Sequence, residues 1–195
     1  PLRLSVDVER PGRRVQLLTA SLFAPDGTEV MRSRALKVAR AGVDAGERSG
    51  GPVDWESASP AEFPFGGPKL VRFPGDGIEL RFAEGEFTAP GKSRVWFRLR
   101  VPVVAGEQPS GYQRLSAAAD FPNGVATPLP WDGYVFINPD LSIHIDREPV
   151  GDWICMDATM RVSKDGVGQS EGLLYDTRGR VGRSLQSLYV APRST

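Results

Sequence analysis

The chain has 195 residues, enough for one large domain or two small ones with a sizeable core. Its 24 basic and 24 acidic residues cancel, which removes any general electrostatic case for nucleic acid or an anionic membrane. One cysteine excludes an intrachain disulfide and fits a reducing, cytoplasmic setting, and one Cys with one His argues against a structural zinc site.

In chain order, Leu2, Leu4, Val6 and Val8 alternate with Arg3, Ser5, Asp7 and Glu9, the period of a half-buried strand. After a turn at Pro11-Gly12, a second strand is predicted from Val15 to Phe23. A hairpin turn follows at Pro25-Asp26-Gly27, and a third strand at 29–38. Residues 41–76 are rich in Gly, Pro, Ser and charge and read as a linker, whose later part carries Phe63, Phe65, Leu70 and Phe73 for docking onto a domain.

A fresh domain is expected at 77–195. Ile78, Leu80 and Phe82 mark one strand, and Val95, Phe97, Leu99, Val101 and Val103 another. Ser110 is a cap for a helix carrying Tyr112, Leu115 and Ala118-Ala119, stopped by Asn123-Gly124 with Gly left-handed. Small residues from Ser116 to Ala119 would let this helix lie close to a sheet. Strands follow at 134–137, 141–147, 153–163, 169–175 and 182–190, with turns at Lys164-Asp165-Gly166 and Thr177-Arg178-Gly179. Cys155, inside the apolar run Trp153-Ile154-Cys155-Met156, reads as a buried small hydrophobe. No apolar stretch approaches membrane-spanning length and no signal peptide is visible.

The first three strands repeat near the end of the chain. An offset of 152 places Leu4 over Met156, Val6 over Ala158 and Leu22 over Leu174; a one-residue slip in the turn then places Val30 over Val181 and Ser33 over Ser184. A repeat this long reads as a duplicated domain, with only the later strands of the first copy expected within this sequence. A preceding segment of roughly 75 residues, or another chain, is expected to cover the first copy.

The residues alone leave several roles open. Asp140, after Asn138-Pro139, suits a turn or strand entry. Gln186 sits on a largely apolar strand and needs a hydrogen-bond partner if buried. Ala35 stands opposite it in the first copy, so the fold does not demand Gln there. His144 has no Gly-x-Ser-x-Gly turn to serve and reads as a solvated strand residue. One helix on one face of an antiparallel sheet is an α+β solution.

Four motifs carry a resemblance. They are 118–124 (AADFPNG), 136–144 (FINPDLSIH), Gly151-Asp152-Trp153 and 182–188 (GRSLQSL). In order and spacing, Leu99 to Arg193 resembles the C-terminal half of double hot-dog acyl-CoA thioesterases, the type II or TesB-like family, especially actinobacterial members. Residues 1–40 resemble the last strands of the family's N-terminal hot dog. The resemblance implies a double hot-dog fold with an incomplete first hot dog. It also implies hydrolysis of an acyl-CoA substrate in the cytoplasm, without cofactor or metal, in a homo-oligomer. It implies a catalytic set in which Asp140 and Gln186 activate water. The family's intervening hydroxyl falls at Arg161, with Thr159 and Ser163 flanking it on the same strand face. The turn Ser110-Gly111-Tyr112, at a helix N-terminus with free N–H groups, is expected near the thioester carbonyl. The alternatives are a weak or inactive acyl-binding or assembly module and, less favoured, a hydratase built on Asn138-Pro139-Asp140 and His144, whose order differs from that of hot-dog enoyl-CoA hydratases.

Overall fold

The computed structural model describes residues 1–42, 54–64 and 73–193, in two units, Pro1–Glu47 and Arg48–Thr195. Phe65 and Leu70, expected to dock, lie outside the described residues.

The first unit is an antiparallel sheet of β1 (Arg3–Arg10), β2 (Val15–Phe23) and β3 (Glu29–Val38), in that order. Alternation sends Leu4, Val6 and Val8 to one face, with Leu18, Ala20 and Leu22 of β2. Leu4, Val6 and Val8 remain 63%, 56% and 53% exposed.

In the second unit a single 3₁₀ turn (Trp55–Ser57), with Asp54 accepting from the Glu56 N–H, leads into β4 (Ser59–Ala61). A short π-turn, Phe73–Gly77, precedes β5 (Ile78–Glu84) and β6 (Ser93–Leu99). Helix α1 (Gly111–Ala119) and the one-turn α2 (Pro122–Val125) follow. Then come β7 (Tyr134–Ile137), β8 (Ser142–Ile145), β9 (Trp153–Val162), β10 (Val167–Asp176) and β11 (Gly179–Pro192). Among the described residues these strands form one antiparallel sheet in the order β4-β5-β6-β9-β10-β11-β7, with β8 also on β11.

The sheet carries α1 on one face. Leu115, Ala118 and Ala119 are at most 1% exposed and pack with Val95, Phe97, Ile154, Met156, Ala158, Leu174 and Val181. The two alanines present no bulk, so the helix can lie close to the strands, as their size predicts. Ser110 caps the helix as expected: its Oγ accepts from the Gln113 N–H at 3.2 Å, and the Gln113 side chain accepts from the Ser110 N–H at 2.7 Å. The opposite sheet face holds Trp96, Trp153 and Cys155, on which Ala58 packs and Trp55 stacks at 5.0 Å. Thus residues 55–61, part of the expected linker, are built into the sheet and its outer cover. Phe63 packs on the core and meets Phe87 edge-on at 5.6 Å, whereas Phe73 is largely exposed.

Two local expectations are corrected. The helix does not run to Asn123-Gly124; Asp120 ends it, because Pro122 supplies no N–H and its ring opposes a continuing helix. Gly124 lies in α2 and has no positive φ. The strand expected through Val103 stops at Leu99, leaving Val101 and Val103 exposed.

The duplication survives in the hydrogen-bond register. Leu4 faces Leu22 and Val6 faces Ala20 in the first unit; Met156 faces Leu174 and Ala158 faces Gly172 in the second. Both copies slip at the same place, between Leu22 and Phe23 and between Leu174 and Tyr175. Both hairpins close on a glycine with positive φ, Gly27 at 89° and Gly179 at 120°.

Candidate functional site

A polar cluster forms where α1 ends against β10 and β11. Asp120 is the residue on which α1 stops, so its side chain leaves the helix at a corner rather than along its flank. Gln186, on the helix-facing side of β11, is 0% exposed; its Nε2 donates to Asp120 Oδ1 at 2.7 Å and to the Asp120 carbonyl oxygen at 3.2 Å. Ser170 lies opposite Gln186 on β10, is also 0% exposed, and donates through Oγ to Gln186 Oε1 at 2.7 Å. Asn138, just beyond β7, donates from Nδ2 to the same Asp120 Oδ1 at 2.9 Å and accepts from Asn123 Nδ2 of α2 at 3.3 Å. Five side chains thus form one network, in which two amides, those of Gln186 and Asn138, donate to a single carboxylate oxygen of Asp120. No hydrogen bond to Asp120 Oδ2 occurs among the described residues.

This corner exists because the strand on the edge of β11 is broken. β8 pairs with Gly182–Leu185 and β7 with Tyr189–Pro192, leaving the intervening residues of β11 without a backbone partner on that side. Pro139 cannot donate to a ladder, so the chain between β7 and β8 loops out. The loop brings Asn138 to Asp120. It also brings Asp140 to the backbone, where Oδ1 accepts from the Ser187 N–H at 2.7 Å and satisfies a donor the gap would leave bare.

Burial at the corner raises the Asp120 carboxyl above its ordinary range, outweighing the amides of Gln186 and Asn138, which favour the charged form. A carboxylate so placed, with one oxygen anchored by two N–H donors and the other open, can orient a water and take its proton.

The structure gathers only part of the expected site. Gln186 enters the cluster, but its carboxylate partner is Asp120; Asp140 is exposed and engaged with Ser187 backbone. Thr159 lies opposite Glu171, on the sheet face away from Gln186, because its neighbour Met160 takes the helix side with Ser170. Ser163 is a turn residue accepting from the Asp165 N–H at 3.3 Å. The hydroxyl that reaches Gln186 is that of Ser170. Ser110, Gly111 and Tyr112 begin α1, about 15 Å along its axis from Asp120 at 1.5 Å per residue. They therefore cannot donate to a carbonyl lying at the Asp120 corner. Gly111 instead packs so closely on Pro149 that a Cβ would lie 2.5 Å from its carbonyl oxygen. His144 is exposed. Burial pushes the Cys155 thiol up to about 12, which makes it inert as a nucleophile.

Asp120, Asn123 and Asn138 stand inside the motifs quoted above, but sequence spacing gives no sign that they meet. Ser170 was detectable from the hairpin: pairing across Thr177-Arg178, with its one-residue bulge, puts Ser170 opposite Gln186.

Among the described residues no group of three or more His, Cys, Asp or Glu could hold a metal ion, and no helix is long and apolar enough to cross a membrane. A search of curated protein sequences finds no match. Solved structures share the fold. A protein from Novosphingobium aromaticivorans named as a thioesterase is 23% identical with a TM-score of 0.66, covering 96% of this chain and 72% of its own. The acyl-CoA thioesterase II TesB2 of Mycobacterium marinum is 14% identical with a TM-score of 0.66, covering 98% and 73%. A hot-dog protein of unknown function from Alicyclobacillus acidocaldarius is 14% identical with a TM-score of 0.65, covering 98% and 72%. The family model of the acyl-CoA thioesterase C-terminal domain matches residues 51–190, the span that holds all five side chains of the cluster. By that match, which covers more than half of its length, the chain belongs to the acyl-CoA thioesterase C-terminal domain family.

Proposed function

We propose that this chain hydrolyses acyl-CoA thioesters to free acid and CoA, with Asp120 as general base. The observation that carries the reading is the unequal use of the Asp120 carboxylate: Oδ1 accepts from both Gln186 and Asn138, and Oδ2 is open. In the reaction, Oδ2 takes a proton from water as the water oxygen attacks the thioester carbonyl carbon. The tetrahedral intermediate collapses with cleavage of the C–S bond, and the proton on Asp120 passes to the departing CoA thiolate. The raised carboxyl pKa suits this exchange, since a stronger base takes the water proton more readily.

Gln186 and Asn138 hold the base in one orientation. Asp140 supports them at one remove, by fixing β11 at Ser187 beside Gln186. The cytoplasmic, homo-oligomeric setting expected from the family belongs to the same proposal.

The test is thiol release across an acyl-CoA length series by the purified chain and by Asp120→Asn. The variant is expected to lose roughly 10²- to 10⁴-fold in kcat, the usual contribution of a positioned base. Equal rates in the two proteins would overturn the assignment.

A further inference from the structure

We propose that Ser170 is a positioning residue whose hydroxyl decides which way round the Gln186 amide sits. The inference rests on the reading of Asp120 as base and goes one side chain beyond it. The amide faces two pure acceptors on the Asp120 side, the carbonyl oxygen at 3.2 Å and carboxylate Oδ1 at 2.7 Å. Only the NH₂ end of Gln186 can satisfy both. Its Oε1 therefore points to β10, into a place with no exposure to solvent, where it needs a donor. Ser170 Oγ is that donor, at 2.7 Å. Ser184, next to Gln186 on the same strand face, is itself buried without a partner and does not share the task.

The duplication gives an independent argument. Leu18 faces Ala35 in the first copy as Ser170 faces Gln186 in the second. Both polar groups are replaced together in the first copy, so the sheet needs neither of them for its pairing. A hydroxyl placed beneath a catalytic amide solely for packing would not have to vanish with it.

The experiment uses the full chain carrying Ser170→Ala or Ser170→Thr, with Asp120→Asn as reference. Two quantities are read: kcat and KM on the acyl-CoA the wild type turns over fastest, and the Asp120 titration midpoint from side-chain carboxyl ¹³C shifts. Ser170→Ala removes the donor and lets the amide turn its oxygen toward Asp120. The expected result is an about tenfold fall in kcat with KM within about twofold, and an upward move of the Asp120 midpoint. Ser170→Thr, which keeps the hydroxyl, restores both. Should Ser170→Ala fail to fold, Ser170→Cys, with its weak S–H donor, takes its place with the same expectation. An unmoved midpoint, or equal losses in the Ala and Thr variants, overturns the role. The midpoint is read without substrate, so it decides the Ser170 role even if Asp120→Asn keeps full activity and the thioesterase mechanism fails.

Discussion

Gln186 Nε2 lies 2.7 Å from Asp120 Oδ1, so the last strand of the sheet is tied to the end of the helix packed on it. The helix end is both a structural boundary and the place where a carboxylate is held half out of water. These two demands oppose each other, and the opposition is measurable. Burial raises the Asp120 pKa, so between the ordinary ~3.9 of an unfolded Asp and the raised folded value the native state holds the proton more tightly. Stability therefore falls as pH rises through that window. Asp120→Asn removes this loss while keeping a hydrogen-bonding side chain. Thermal unfolding at neutral pH should show the variant at least as stable as the wild type, while thiol-release assays show it nearly inactive. In the wild type, the acid limb of kcat should lie above the usual carboxylate range, because activity needs the deprotonated form.

Asp140→Ala separates the carboxylate suggested by sequence from the one beside Gln186. Asp140 is exposed and satisfies one backbone donor in the gap between β7 and β8. Its loss should cost about 0.5–1.5 kcal/mol, the net worth of one such bond. The same variant should lower kcat by less than about tenfold, since the base and both its amide donors stay in place. Denaturant unfolding and the acyl-CoA assay on one preparation check both values; a loss as deep as that of Asp120→Asn would return Asp140 to the centre of the mechanism.

Strand pattern was legible because a period of two is written directly in Leu4, Val6 and Val8 or in Val95, Phe97 and Leu99, and β2, β3 and β7 begin and end where the alternation and turn residues put them. The helix start was legible through Ser110 and its capping pattern. The helix end was not: a Gly stop was plausible at 124, while the physical stop is Pro122, which leaves Asp120 free to turn toward β11. The site partners were hidden for a related reason. Asp120, Asn138, Ser170 and Gln186 come from four elements and meet only through tertiary packing and a strand break at Pro139, neither of which has a period. Counting along the chain reaches Arg161, with Thr159 and Ser163 beside it on the same strand face, and a one-residue change of parity separates that face from the one Ser170 shares with Gln186.

A second carboxylate has the opposite acid–base behaviour. Asp176, 0% exposed at the end of β10, takes both ends of the Arg147 guanidinium at 2.6 Å and accepts from the N–H groups of Val150 and Arg178 at 2.8 Å. Burial works against its charge, but Arg147 and these N–H donors prevail and hold its pKa below the ordinary value. The pair's stabilisation is thus complete above the ~3.9 of the unfolded chain and disappears as pH falls through the lower folded value. Arg147→Met should destabilise the second unit by about 2–3 kcal/mol, less than a wholly buried pair because Arg147 is partly open to solvent. The difference between variant and wild type, followed by urea unfolding from neutral pH downward, should shrink once the medium is more acidic than the unfolded Asp176; a gap that widens in acid would contradict the pairing.

The duplication supplies its own control for the site. Replacing Ser170 by Leu and Gln186 by Ala writes the first copy's facing pair, Leu18 and Ala35, into the second. Each single change leaves a buried polar atom without its partner, Gln186 Oε1 in one case and Ser170 Oγ in the other, at about 1–3 kcal/mol. The double change removes both polar groups and trades one large and one small side chain across the same two positions, so its cost should be well below the sum of the singles. Asp120, open to solvent on one side, keeps water and Asn138 as donors. The double variant should therefore unfold cooperatively near the wild-type midpoint yet hydrolyse acyl-CoA at least about 100-fold more slowly. Strict additivity of the two stability losses would mean that Ser170 and Gln186 act independently, and retained hydrolysis would mean that the amide is dispensable to the base it touches.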